Sequence, residues 1–284
     1  MTSEQTVSSP IRIREIEPTD LDAVVELLLS GFNDRSEQYW RQGLDRLANR
    51  AALPAYPRFG YALTVADRIV GVVLLIVSRD DKGNIRANVS SWYVEPDYRF
   101  YSAMLIKPAL RLPDVTLVNI SPAPHTLPTI TAQGFRPYTG GIMACVPALG
   151  LPRWGTKLRS IAPASGTDAT ILETHAAMGC LSFRVDEGEE STPFIFALRD
   201  RKRHGIGVAQ LIYCHNLTSF KRHAGMIGRR LLRLGFPIVI FDAERYQPGL
   251  IGHFFRGRKP KYVRGPACPR LGDLSETELV YFGP

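Results

Sequence analysis

The residues best suited to chemistry lie between Asn88 and Phe135. An apolar, β-branched run ends at Tyr93, Val94 and Glu95, a Pro-Asp-Tyr-Arg turn follows at residues 96–99, and a helical segment opens at once through Phe100, Tyr101, Ser102, Ala103 and Met104. A strand that feeds straight into a helix leaves several backbone N–H groups unpaired and aimed at one place. Together with the positive end of the helix dipole, those amides suit a phosphate or pyrophosphate. Arg99 adds a cation, Glu95 a carboxylate able to take a proton, and Tyr101 a phenol able to give one. Asn119, which ends the next apolar run, offers an amide to a ligand. The pattern points to a nucleotide-type cofactor. Each residue also has a plain structural use: Glu95 as a turn carboxylate before Pro96, Asn119 as a turn former, and His125 as a helix cap or surface residue.

Such groups act only if ordered elements hold them. Residues 11–17 alternate apolar and charged side chains, as a half-buried strand does. Thr19 and Asp20 offer a cap before an amphipathic run with Leu21, Val24, Val25, Leu28 and Leu29 on one face, and Ser36 caps a second helix over residues 37–50. Strands follow at 59–65 and 69–78, joined at Ala66, Asp67 and Arg68, and a Gly-containing turn at 80–84 makes the next pairing a hairpin. A strand ending near Glu95, a helix after Arg99, a strand at Val115, a helix closed by Gly134-Phe135 and a strand over 138–146 complete the first half. Pro108 falls inside the helix after Arg99, where an interior proline costs roughly 3 kcal/mol or kinks it.

This order resembles the acetyl-CoA-dependent N-acyltransferase superfamily, the GNAT fold. In that family the loop after the fourth strand reads Arg/Gln-x-x-Gly-x-Gly/Ala, and its amides hold the pyrophosphate of the cofactor. Here the same place reads Arg99-Phe100-Tyr101-Ser102-Ala103-Met104, with Ser102 for the first glycine and Met104 for the second small residue. The resemblance implies an α+β fold, a mixed and mostly antiparallel sheet flanked by helices. It also implies acetyl-CoA or another acyl-CoA lying along Tyr93 and Val94 with its pyrophosphate at residues 99–104. Glu95, Asn119 and Tyr101 are then the catalytic candidates. The family's usual thiolate-protonating tyrosine would fall at Ile130, so Tyr93, Tyr101 or His125 would have to stand in. The junction of the first two helices covers the acceptor cleft in this fold. Phe32, Tyr39 and Trp40 there imply an apolar or sugar-like small-molecule acceptor, although the same rings equally suit a core. The activity implied is N-acylation of a small-molecule or sugar amine; the alternative is a catalytically silent ligand- or protein-binding module.

The second half partly repeats the first. An ungapped shift of 123 residues carries Arg99 onto Arg222, Ser102 onto Gly225, Val115 onto Ile238, Asn119 onto Asp242 and Gly134 onto Gly257. Arg222 and Gly225 thereby match the family loop at its arginine and first glycine, and they become cofactor candidates of a second copy. The division expected is an acyltransferase-like domain over 1–147, a Pro- and Gly-rich linker over 148–165, and a partial second copy over 166–284 without a clear first strand and helices.

Composition bounds the partners. A hydrophobic content of 45% supports a real core, and 22% charged residues fit an ordinary globular chain. No apolar run reaches the roughly 18 residues of a membrane span, and the polar first ten residues lack a signal core, so a cytoplasmic protein is expected. Cys145, Cys180, Cys214 and Cys268 are too scattered for a metal site and read as buried free thiols. The net charge of +8 lies wholly after residue 150, in clusters such as Arg201-Lys202-Arg203 and Arg229-Arg230. No nucleic-acid motif accompanies it, which argues for a solvated face or an anionic small-molecule partner. No metal-ligand spacing, nucleophile elbow or P-loop is present. Oligomeric state and acyl chain length stay open.

Overall fold

The computed structural model describes residues 10–51, 53–80, 82–151, 153–160, 167–199 and 205–283. The N-terminal tail through Ser9, the 201–203 basic run and part of the expected linker lie outside them. The chain divides into two compact units, Met1–Val118 and Asn119–Pro284.

In the first unit the elements follow the expected order. They are β1 (Ile11–Glu15), α1 (Leu21–Gly31), α2 (Glu37–Asn49), β2 (Gly60–Val65), β3 (Arg68–Arg79), β4 (Ile85–Val94), α3 (Ser102–Leu105), α4 (Lys107–Leu110) and β5 (Val115–Asn119). The first four strands pair antiparallel in sequence order, and β5 joins β4 in parallel. Strand β3 is buried on both faces from Ile69 to Ser78, which explains its unbroken apolar run. Ala66 and Asp67 take φ of 46° and 65°, the paired positive values that a two-residue hairpin turn needs. The Asp80 carboxylate accepts from the Lys82 and Asn84 amides and ties the next turn. Ser36 caps α2 by accepting from the Tyr39 amide. The single helix expected after Arg99 is instead two short pieces, because Pro108 stands in the first turn of α4, where its missing N–H costs nothing.

The second unit holds α5 (Leu127–Ala132), β6 (Arg136–Pro137), β7 (Gly141–Cys145), β8 (Thr156–Arg159), α6 (Thr167–Ala177), β9 (Leu181–Glu187), β10 (Glu190–Arg199), β11 (Val208–Cys214), α7 (Leu217–Arg233), β12 (Ile238–Ala243), β13 (Gly252–Arg256), β14 (Tyr262–Arg264) and α8 (Glu278–Tyr281). Its seven-stranded sheet runs β13-β7-β12-β11-β10-β9-β8. Strand β8 lies within the expected linker, so the second copy does have a first strand, followed by one helix. The 123-residue shift is seen in the parallel pairs: Ile85 faces Val115 in the first copy as Val208 faces Ile238 in the second. The turns at Gly134 and Gly257, paired by the same shift, differ, since one closes α5 and the other follows β13.

The two copies exchange their last strands. Strand β7, the last of the first copy, inserts between β12 and β13 and pairs antiparallel with both. Strand β14, the last of the second, pairs with β6 of the first. Residues 119–146 are thus built into the second unit. The crossing is tight at Gly140 and Gly141. A Cβ on Gly140 would sit 2.0 Å from the Glu244 carbonyl oxygen, and one on Gly141, at φ 154°, 2.2 Å from that of Phe255. Neither neighbour is a flexible side chain. Gly140→Ala is therefore expected to destabilise the chain by about 3 kcal/mol or more, read as a fall of roughly 6 °C or more in thermal midpoint. A midpoint within a degree of wild type would refute this account of the crossing.

Candidate functional site

In the first unit the parallel pairing of β4 and β5 covers only four residues, from Ile85 opposite Val115 to Asn88 opposite Val118. Beyond it β4 runs on to Val94. The buried Asn88 side chain sits at the fork and donates to the Val118 carbonyl at 3.3 Å and to that of Val89 at 3.2 Å. Just past the fork β4 bulges: Leu74 faces Ser90 and Val72 faces Tyr93, so Ser91 and Trp92 together oppose Val73. Ser91 takes φ 48°, an uncommon value for a residue with a side chain. A bulge twists a strand away from its neighbour and re-aims its side chains. Within the first unit, among the described residues, the edge of residues 89–93 that faces β5 carries no backbone partner. Ser90 and Ser91 place their hydroxyl oxygens 3.1 Å apart here. The buried Trp92 indole N–H has no partner among the described residues.

Aromatic side chains gather beside this stretch. The Tyr93 ring packs over Gly31 at the end of α1, where a Cβ would lie 2.6 Å from it. Phe32 lies 6.0 Å from Tyr93 and 5.5 Å from Trp40 between ring centroids, and Tyr39 meets Trp40 edge-on at 5.0 Å. The Arg35 guanidinium stands 4.5 Å over the Tyr39 ring. Trp40 is fully buried and belongs to the core, whereas Phe32, Tyr39 and Tyr93 are half-buried and available to a ligand. The structure thus joins Phe32, Tyr39 and Trp40 to Tyr93.

At the mouth, Glu95 donates its amide to the Val70 carbonyl, and its carboxylate pairs with Arg68 at 2.6 Å. Residues Pro96–Tyr101 wind into a 3-10 helix, and the Ser102 amide donates to the Arg99 carbonyl. That winding spends amides the sequence assigned to an anion. Arg99 and Ala103 are exposed, Tyr101 and Ser102 half-buried; Phe100 is 91% and Met104 43% exposed. Beside the paired Arg68, the mouth therefore offers the Arg99 guanidinium and an apolar rim. Asn119, a member of the second unit, is buried at the end of β5, and His125 is exposed in a 3-10 turn.

The second copy has the same fork in altered form. Strands β11 and β12 pair over residues 208–210 only, and β11 bulges at Ile212. Arg222 and Gly225, expected in a loop, lie inside α7, whose start is capped by Asn216 accepting from the Ser219 amide. Arg222 faces Glu187 at 3.6 Å and Glu190 at 3.8 Å. Gly225 is a packing glycine: a Cβ there would lie 2.5 Å and 2.6 Å from the carbonyl oxygens of Gly150 and Leu151. Cys214 is buried, and burial pushes its thiol up to about 12, while His215 pairs with Asp168 at 3.2 Å. Cys214 packs within the apolar cluster that contains Phe194 and Phe220, the place of a core thiol rather than of an exposed nucleophile. All four cysteines are free; Cys145 and Cys214 are buried as expected, but Cys268 is exposed. Among the described residues no metal-binding cluster exists, and no helix is long and apolar enough to cross a membrane.

Sequence reasoning missed Asn88, Ser90 and Ser91, and the room that Gly31 leaves for the Tyr93 ring. The one available signal was the break in alternation at Ser90-Ser91-Trp92-Tyr93, where small polar residues interrupt an apolar strand.

No family model matches the chain, and no curated protein matches its sequence. Solved structures do share its fold. A GCN5-related N-acetyltransferase from Anabaena variabilis superposes with a TM-score of 0.64 at 10% identity, covering 90% of this chain and 72% of that one. One from Kribbella flavida gives 0.57 at 13% identity, covering 91% and 72%. The glucosamine N-acetyltransferase region of a fungal multi-domain β-N-acetylglucosaminidase gives 0.56 at 11% identity, covering 91% of this chain and 38% of that one. The chain shares the α+β fold of these N-acetyltransferases, with the parallel strand pair present twice.

Proposed function

We propose that the protein is an acyl-CoA-dependent N-acyltransferase whose first copy holds the acyl-CoA along the free edge of β4. The observation that carries this reading is the fork after Asn88, with the bulge at Ser91 turning β4 away from β5. An extended amide chain can add to such an edge by main-chain hydrogen bonds, as a peptide strand does. The bound group would supply the activated acyl thioester; Arg99 would meet its phosphates. Phe32, Tyr39 and Tyr93 would face the acceptor. Rings of this kind suit a sugar or apolar amine, and the fungal region with this fold is named for glucosamine. Glu95 would take the proton lost by the attacking amine, and Tyr101 would give one to the departing sulfur.

Calorimetric titration of acetyl-CoA tests this directly. Wild type should bind saturably, and Arg99→Ala should bind about tenfold or more weakly, the worth of one hydrogen bond to a charged group. No binding of acetyl-CoA or longer acyl-CoAs would sink the reading. A second reading, a silent binding module, is favoured by the exposed Phe100 and Met104 and by the 3-10 winding of residues 96–101. It predicts binding without turnover on a panel of amines, including glucosamine.

A further inference from the structure

The fork of the second copy is filled by the chain itself. The Cys214 amide donates to the Gly272 carbonyl at 2.9 Å, the Leu274 amide donates to the Ile212 carbonyl at 2.7 Å, and Tyr213 and Asp273 form an antiparallel bridge between them. Strand β10 holds the opposite edge of β11 as far as Cys214. Residues 272–274 therefore lie on the edge that faces β12, beyond the point where β11 and β12 part. That edge corresponds to residues 89–93 of β4 in the first copy.

Side chains fix the strap in place. Arg270 donates to the Cys214 carbonyl and stands 4.7 Å over the Tyr213 ring. The Asp273 carboxylate accepts from the Ser275 amide and hydroxyl. Gly272 has φ 83°, and a Cβ there would lie 2.8 Å from the Cys214 sulfur, so only glycine fits this approach. Downstream, Leu274, Val280, Tyr281 and Phe282 are all buried, which anchors the segment at its far side.

We infer that residues 270–274 are an internal strand occupying the ligand edge of the second copy, so that the chain takes one acyl-CoA, in the first copy only. The inference rests on the acyl-CoA reading for its ligand, and on the strap's hydrogen bonds for its geometry. It explains how a duplicated fold can use one copy for ligand and the other as support. The basic residues of the second half then serve something other than a second pyrophosphate.

Hydrogen exchange on the full chain, followed by acetyl-CoA titration, tests it. Without ligand, peptides covering 208–216 and 270–276 should exchange as slowly as those of β10. Rapid exchange of the Cys214 and Leu274 amides overturns the strap, whatever the ligand proves to be. Acetyl-CoA should bind with one equivalent per chain and slow exchange at 89–94 while leaving 212–214 unchanged. Two equivalents, or new protection at 212–214, overturn the closed second copy. Absence of any binding overturns the acyl-CoA reading, and the ligand-free exchange still decides the strap. Gly272→Val should speed exchange at Cys214 and Leu274 by about tenfold and keep the single equivalent. Unchanged exchange in that variant contradicts the close fit; if it fails to fold, the wild-type exchange remains the deciding measurement.

Discussion

Lys261→Met is expected to cost about 3–5 kcal/mol, the typical loss when one partner of a buried ion pair is removed. The Lys261 ammonium lies 2.5 Å from the Asp242 carboxylate, and their side chains are 6% and 4% exposed. Removing the cation leaves a carboxylate that water cannot reach. Asp242→Leu should be comparably harmful, because it strands the ammonium. The double variant should recover much of the loss, since a buried pair gains little over well-packed apolar side chains. Urea denaturation of the four proteins reads this cycle, and a single variant within about 1 kcal/mol of wild type would refute it. Position explains why the pair matters. Asp242 lies near the end of β12, and Lys261 immediately precedes β14. The Lys261 amide donates to the Thr139 hydroxyl at 3.0 Å, and the Tyr138 amide to the Lys261 carbonyl at 2.9 Å. The charges thus mark the place where the exchanged strands part, and a slip in register would leave both unpaired.

Much of the fold was legible because its signals are local. The turns at 66–67 and 80–84, the cap at Ser36 and the strand at 69–78 each follow from residue types within a few positions. The repeat was legible where its physics is the same, at the parallel pairs begun by Val115 and Ile238. Partner choice was not. Gly141-Ile-Met-Ala-Cys145 reads as a strand, but nothing in its alternation names β12 and β13 as its neighbours rather than elements of its own copy. The lesson at Gly225 is similar. Arg-x-x-Gly fits a phosphate loop by type, yet a glycine serves close backbone packing equally well, and here the neighbours are Gly150 and Leu151. For the candidate site, the aromatic residues around the first helix junction were visible by proximity in sequence, but their meeting with Tyr93 depends on Gly31 leaving room for its ring. The free edge of β4 was invisible, because it follows from a bulge whose only trace is two serines. The strap was equally hidden, since a segment rich in Pro and Gly carries no strand pattern.

The exchange of strands leads to the largest effect. Residues 1–146 and 147–284, expressed separately, should each fail to fold, whereas coexpression should give a complex that melts cooperatively. In the first fragment β7 would lose five paired residues on each edge, and Met143 and Cys145, now 0% and 1% exposed, would have no core to enter. Both belong to the apolar cluster that contains Phe183, Phe194, Phe220 and Phe241. In the second fragment β12 and β13 would stand apart by the width of the missing strand, with four unpaired edges between the two fragments' ruptured ladders where aggregation begins. Circular dichroism and size-exclusion chromatography of each fragment read the outcome. A cooperative melt of 1–146 alone would show that β7 finds another partner and that the exchange is dispensable. The expected result explains why a copy whose ligand edge is strapped shut would still be needed: it houses the last strand of its neighbour, so loss of either half removes both.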